Sequence, residues 1–156
     1  SMVYIIATLL RKAYDARRAG WDGQVGWLRL MLSPGDYAED DSALFHPLTR
    51  RLMPQIDFRH GGKEYDARYP DGIPTTVEIN HAKLGPLTSG LVMYPEGHAR
   101  CNPAHLAALL EHKFRLLAGL GVEDTDALVT RFSNLASKSP QEIATLYDFK
   151  LRGVAE

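Results

Sequence analysis

The sequence predicts an α+β fold: a small, mostly antiparallel sheet with flanking helices, followed by C-terminal helices. Three observations lead there. An apolar helical pattern opens the chain, short alternating stretches occupy the middle, and capped amphipathic helices fill the last third. Strands grouped between runs of helix, rather than alternating with them one by one, mark α+β rather than a parallel βαβ sheet.

Residues 2–14 read as a helix. Met2, Ile5, Ile6, Leu9, Leu10 and Ala13 recur at three-to-four spacing, with Arg11 and Lys12 near the C-terminal end, where the helix dipole favours cations. The stripe is wide, which predicts burial on more than one side. A polar connector covers 15–24, and the apolar segment Val25 to Leu32 predicts a short helix closed by Ser33-Pro34-Gly35-Asp36. Residues 36–43 read as an acidic loop, and Leu44 to Met53 hold a helical turn. Ile56-Asp57-Phe58-Arg59 alternates as a strand, with Gly61-Gly62 as its stop. Thr75 to Asn80 and Ser89 to Tyr94 predict two further strands, joined as an antiparallel hairpin by a long loop through Gly85-Pro86.

Asn102 is a good N-cap and Pro103 suits the first helical position. Leu106, Leu109, Leu110, Phe114 and Leu117 then make an apolar face that Gly119 and Gly121 end. A second helix is predicted from Thr125 through Leu135. A third starts at Ser139-Pro140-Gln141-Glu142, a capping-box pattern.

Several function classes fall away. With 45% hydrophobic residues, 24% charged residues and a net charge of −1, the composition is globular and lacks the basic surface that nucleic acid or an anionic membrane requires. The opening apolar run, 2–10, is shorter than the roughly 20 residues a membrane span needs, and it has neither signal-peptide flank. Cys101 is the only cysteine, which rules out an internal disulfide and fits a reducing cytoplasm. The six histidines (His46, His60, His81, His98, His105 and His112) contain no HExxH or i, i+4 pair. His105 and His112 share a helix face but lack the third and fourth ligands of a metal site. No metal and no cofactor are expected. Gly119-Leu120-Gly121 follows a helix rather than a strand, so it is a helix stop and not a dinucleotide loop.

The candidate chemistry is sparse. Tyr4 is either a core tyrosine with a hydrogen-bonded tip or a general acid facing a polar cleft. Arg51, Arg59, Arg68 and Arg100 offer guanidinium forks for carboxylates. The segment Tyr94-Pro95-Glu96-Gly97-His98-Ala99-Arg100-Cys101-Asn102-Pro103 carries a glycine and a histidine from an apolar strand into a capped helix, a place where folds expose chemistry.

Three segments resemble the C-terminal part of the MmgE/PrpD family, which includes 2-methylcitrate dehydratase of propionate metabolism, cis-aconitate decarboxylase and iminodisuccinate epimerase. Ser1-Met2-Val3-Tyr4-Ile5-Ile6-Ala7 resembles its His-Ser-x-x-Tyr segment without the histidine. Tyr69-Pro70-Asp71-Gly72-Ile73-Pro74-Thr75-Thr76-Val77-Glu78-Ile79 resembles the lead into a lid-domain strand. Tyr94 to Pro103, with Leu110-Glu111-His112-Lys113-Phe114 beyond it, resembles the Tyr-Pro-x-Gly-His segment and the Glu-x-Lys-Phe helix.

The resemblance implies a partial α+β lid over 1–101 and helices over 102–156 that return to a separate helical domain. It implies a metal-independent lyase acting on a small polycarboxylate, dimeric and cytoplasmic. Tyr4 would be the catalytic acid, and His98 and Arg100 would bind substrate. The family's N-terminal helical domain, with its aspartate, histidine and lysine residues, is not in this sequence, and Ser1 stands directly before a core-like helix. We therefore expect a piece of a longer protein or a truncated product, inactive as an isolated chain. The other expectation is a non-catalytic dimerisation or binding module.

Overall fold

The computed structural model describes residues 1–22 and 27–153. It is α+β: a two-stranded antiparallel sheet with flanking helices, then C-terminal helices. The chain divides into two compact units, Ser1–Pro95 and Glu96–Glu156.

In the first unit, α1 spans Met2–Arg18, a full turn beyond the expected end, because Tyr14 to Arg18 holds no helix breaker and Arg17 and Arg18 suit its C-terminus. Its most buried face is not the apolar stripe. Tyr4, Ala7 and Thr8 are buried, with Arg11 and Lys12 half-buried below them, whereas Met2 is 59% exposed and Leu10 39% exposed. The spacing is helical as predicted, but the buried face is rotated toward a polar neighbour.

That neighbour is the turn Pro34–Tyr37, a single 3-10 turn begun by a Ser33–Asp36 capping box. Before it, Trp27–Leu30 forms one 3-10 turn in place of the expected helix, and Val25 and Gly26 lie outside the described residues. Next comes α2, Pro47–Leu52, which packs on α1. His46 caps α2, its Nδ1 accepting the Leu48 N–H at 3.2 Å.

Ile56 to Arg59 is not a strand. Asp57 turns its carboxylate onto the Phe58 N–H (2.9 Å) and the Arg59 Nε (3.3 Å), so local bonds replace a ladder. Gly61-Gly62 does not stop an element but starts one: α3, Gly62–Arg68, supported by a Glu64–Arg68 pair at 3.0 Å one turn apart.

The sheet is one hairpin of β1, Glu78–His81, and β2, Gly85–Thr88, with Glu78 opposite Thr88 and His81 opposite Gly85. The connection is short rather than long: Ala82, Lys83 and Leu84, with His81 Nδ1 accepting the Lys83 and Leu84 N–H groups. Beyond Thr88 the pairing slips by one residue, so that Thr75 meets Val92. Gly90 sits at the slip with φ +63°, the left-handed conformation of a glycine bulge. The predicted strand Ser89 to Tyr94 is therefore reduced to that single bridge, and β2 lies four residues earlier. Tyr94 instead donates its hydroxyl to Asp71 at 3.0 Å.

In the second unit, α4 spans Pro103–Gly121, with Asn102 capping the Ala104 N–H at 3.0 Å and Pro103 at the first position, as the sequence predicts. The next helix, α5, Thr125–Phe132, is capped by Asp124 and ends earlier than expected, at Ser133 and the left-handed Asn134. Finally, α6, Pro140–Ala144, opens with the predicted Ser139–Glu142 capping box. Phe132 packs edge-on against Tyr147 and Phe149.

Little of this apolar surface is covered. The accessible surface is 11883 Å². A folded chain of 17.4 kDa exposes about 7,900 Å², and two independent globules of the sizes of the two units would expose about 9,400 Å². The buried apolar residues are Tyr4, Ala7, Ala43, Val122, Leu128 and Leu146.

Two sets of variants test these local arguments. Thr8 and Thr49 are fully buried, and their hydroxyls have no hydrogen-bond partner among the described residues. Thr8→Val and Thr49→Val should each raise stability by about 1 kcal/mol in urea unfolding, because an unpaired buried hydroxyl carries a desolvation cost. Gly97 has φ +89°, and a Cβ there would stand 2.5 Å from Leu109 Cδ2, whereas one on Gly90 would meet nothing within 4 Å. Gly90→Ala should cost about 1 kcal/mol from backbone strain alone, and Gly97→Ala about 2–3 kcal/mol from strain plus overlap. Equal costs would contradict this reading.

Candidate functional site

The most organised polar cluster in the first unit surrounds Asp36. Its carboxylate accepts from Lys12 Nζ at 2.8 Å, Arg11 Nη2 at 3.3 Å, and the Ser33 backbone N–H and hydroxyl at 2.8 and 3.1 Å. Its backbone carbonyl accepts the hydroxyl of Tyr4. Lys12 also donates to the Met31 carbonyl at 2.6 Å, and Arg11 reaches Asp15 at 3.5 Å. One face of α1, through positions 4, 11 and 12, thus grips the 31–36 segment.

Burial works against ionisation of Asp36 and is the largest single influence on it. The Lys12 hydrogen bond, the Ser33 N–H, the Lys12 charge and the Ser33 hydroxyl together outweigh it and hold the carboxyl below its usual range. With four donors on its two oxygens, this carboxylate is committed to the fold rather than offered to a substrate.

Tyr4, the candidate acid, stands at the edge of this cluster. It is buried, its ring lies 5.7 Å from that of Tyr37, and its hydroxyl is engaged. These are the surroundings of a core tyrosine with a satisfied tip. His98 and Arg100 lie in the second unit, in the turn before α4. His98 is half-buried, and its Nδ1 accepts the Arg100 N–H at 3.1 Å while its carbonyl accepts the Cys101 N–H at 2.9 Å. The imidazole therefore shapes the turn that delivers Asn102 to its capping position. Gly97 permits that turn through its φ of +89°, and a Cβ there would press on the end of the Leu109 side chain.

Of the other residues singled out, Arg59 and Arg68 pair with Asp57 and Glu64 on the surface, and Arg51 is exposed. His105 contacts the Glu96 carboxylate at 3.1 Å. Among the described residues, no three His, Cys, Asp or Glu side chains converge as a metal site. Arg59 lines a polar cavity of about 440 Å³ with Gln55, Asp57, His60, Thr76, Glu78 and Asn80. Two carboxylates face its one guanidinium, which leaves no net attraction for a polyanion.

The Asp36 cluster is what sequence reading missed. Its signal was present in Ser33-Pro34-Gly35-Asp36, a serine followed three residues later by an acid. What no spacing gives is that Arg11 and Lys12 meet this acid.

The lowered pKa fixes the sign of a pH dependence. Asp36 is a stronger acid folded than unfolded, so its contribution is complete above about pH 4–5 and is lost as pH falls through the lower folded value. Asp36→Asn should lower stability at neutral pH by about 3 kcal/mol. It should also flatten the acid limb of stability against pH, measured by urea unfolding between pH 2 and 7; an unchanged limb would contradict this assignment. No family model, curated protein or solved structure matches the chain.

Proposed function

We propose that this chain is the lid and C-terminal segment of a metal-independent lyase of the 2-methylcitrate dehydratase type, acting on a small polycarboxylate and inactive in isolation. The chemistry rests on the resemblance of the segments at 1–7, 69–79 and 94–103 with Leu110 to Phe114, in that order along the chain. The incompleteness rests on one observation: 11883 Å² of exposed surface, well beyond that of two finished globules. Surface of this kind belongs to one part of a larger body.

Elimination of water from a polycarboxylate needs a base for the C–H proton, an acid for the departing hydroxyl and cations for the carboxylates. In this reading Tyr4 is the acid, its Oη exchanging the Asp36 carbonyl for a substrate oxygen, and Arg100 and His98 take carboxylates. The base belongs to the helical domain. A site split in this way has no effective molarity until both parts meet, hence the inactivity of the chain alone. The enzyme is proposed to be cytoplasmic and homodimeric, and the reaction calls for no cofactor. No helix among the described residues is long and apolar enough to cross a membrane.

The same exposed surface supports a second reading, a non-catalytic module that dimerises or binds a partner through it. Sedimentation velocity distinguishes this reading, which requires a stable dimer or complex with no gain of activity.

The test is complementation with the helical domain of a full-length 2-methylcitrate dehydratase. The chain alone should show no dehydration of 2-methylcitrate, and the mixture should. In the mixture, Tyr4→Phe should lower kcat by about 100-fold or more if the phenol is the acid. If the phenol is only a core group, the variant should stay within a few-fold in rate and lose about 1 kcal/mol of stability. A full rate from the isolated chain would overturn the proposal.

A further inference from the structure

A cavity of about 420 Å³ in the second unit is lined by Ala127, Thr130, Arg131, Lys138, Glu142 and Thr145, residues of α5, of α6 and of the chain flanking α6. Its volume is that of a small-molecule site. Arg131 and Lys138 are half-buried. Each donates to a backbone carbonyl, Arg131 Nη1 to that of Thr145 and Lys138 Nζ to that of Thr130 at 3.5 Å. Neither forms an ion pair among the described residues. A carbonyl holds a cation in place but leaves its charge unneutralised, and both groups keep most of their donors. In the cavity beside Arg59 two carboxylates outnumber one guanidinium; here two cations outnumber one carboxylate.

That carboxylate narrows the choice of anion. Glu142 Oε2 accepts the Ser139 backbone N–H at 2.8 Å and the Ser139 hydroxyl at 2.7 Å, and Oε1 accepts no donor among the described residues. Those two bonds, with the Lys138 charge, outweigh desolvation and hold the carboxyl below its usual range. Ionised, it can only accept. A fully deprotonated oxyanion such as sulfate would set acceptor against acceptor at Oε1. Hydrogen phosphate brings two negative charges for the two cations and an O–H for Oε1.

We propose that this cavity binds inorganic phosphate as hydrogen phosphate, its charged oxygens on Arg131 and Lys138 and its O–H donated to Glu142 Oε1. The Thr130 hydroxyl, in the same wall, is a further donor. The guanidinium and ammonium supply the attraction. The carboxylate supplies the selection, since an anion without a proton leaves it facing lone pairs. The site lies wholly within the second unit and does not rest on the lyase reading.

The test is an NMR titration of the whole, isotope-labelled chain with sodium phosphate and, separately, sodium sulfate, at neutral pH and constant ionic strength. Phosphate should shift the backbone amides around Arg131, Lys138 and Glu142 saturably, with a Kd of about 1–10 mM, and sulfate should bind about tenfold more weakly or worse. This comparison needs no variant to fold. Lys138→Gln should weaken phosphate binding by about tenfold or more. Glu142→Gln keeps the capping box, because glutamine serves there too. Its amide can donate to either anion, so the two affinities should come within about threefold of each other. Circular dichroism checks that both variants fold. No saturable shift by about 50 mM phosphate, equal affinity for the two anions, a preference unchanged in Glu142→Gln, or undiminished binding in Lys138→Gln would overturn the proposal. None of these readouts depends on turnover, so failure here is separable from failure of the complementation assay.

Discussion

The Asp36 carboxylate receives Lys12, Arg11 and both donors of Ser33, while its own carbonyl receives the Tyr4 hydroxyl. This arrangement settles how the first unit is built. It turns α1 so that its polar flank is the one most buried, and it anchors the turn Pro34–Tyr37 from which the chain proceeds to α2. A charge group this well supplied with donors is stabilising because each partner offsets the desolvation of the others, and losing any one leaves the rest buried and short of a bond. The unit is thus held at its centre by electrostatics and only thinly by apolar packing.

The consequence is visible on the opposite flank. Because Tyr4, Arg11 and Lys12 face the 31–36 segment, Met2 and Leu10 are turned outward. The second unit is thinly packed as well, with Leu110, Leu117 and Leu120 of α4 at least half exposed. Broad apolar exteriors of this kind are what a chain that contributes to an interface would carry, and they accord with the proposed lid of a lyase.

Much of the fold was legible in the sequence, and the failures have physical causes. The caps at Asn102-Pro103 and Ser139–Glu142 were read correctly because a cap is a local pattern of side chain and backbone. The spacing within α1 was legible, but the identity of its buried face was not, because that depends on Asp36 more than twenty residues away. Ile56 to Arg59 alternated like a strand without becoming one, since alternation describes a face and supplies no partner. Gly61-Gly62 was ambiguous in principle, as glycine both ends elements and caps them. The hairpin's existence was legible, but its second strand was not: β2 is Gly85–Thr88, in the turn-rich stretch read as a long loop, and the expected strand Ser89 to Tyr94 keeps one bridge past the bulge at Gly90. Tyr4 was visible as a tyrosine in an apolar run, and sequence could not say what its hydroxyl touches.

We propose a chain that folds yet leaves apolar surface for a partner. The most direct measurement is the fluorescence of a hydrophobic-surface dye with the chain at a concentration where sedimentation shows a monomer and circular dichroism shows the helices formed. A strong blue-shifted enhancement is expected, to disappear when the helical domain used for complementation is added. A folded monomer that leaves the dye unchanged would contradict it, since the apolar faces of α1 and α4 would then already be covered.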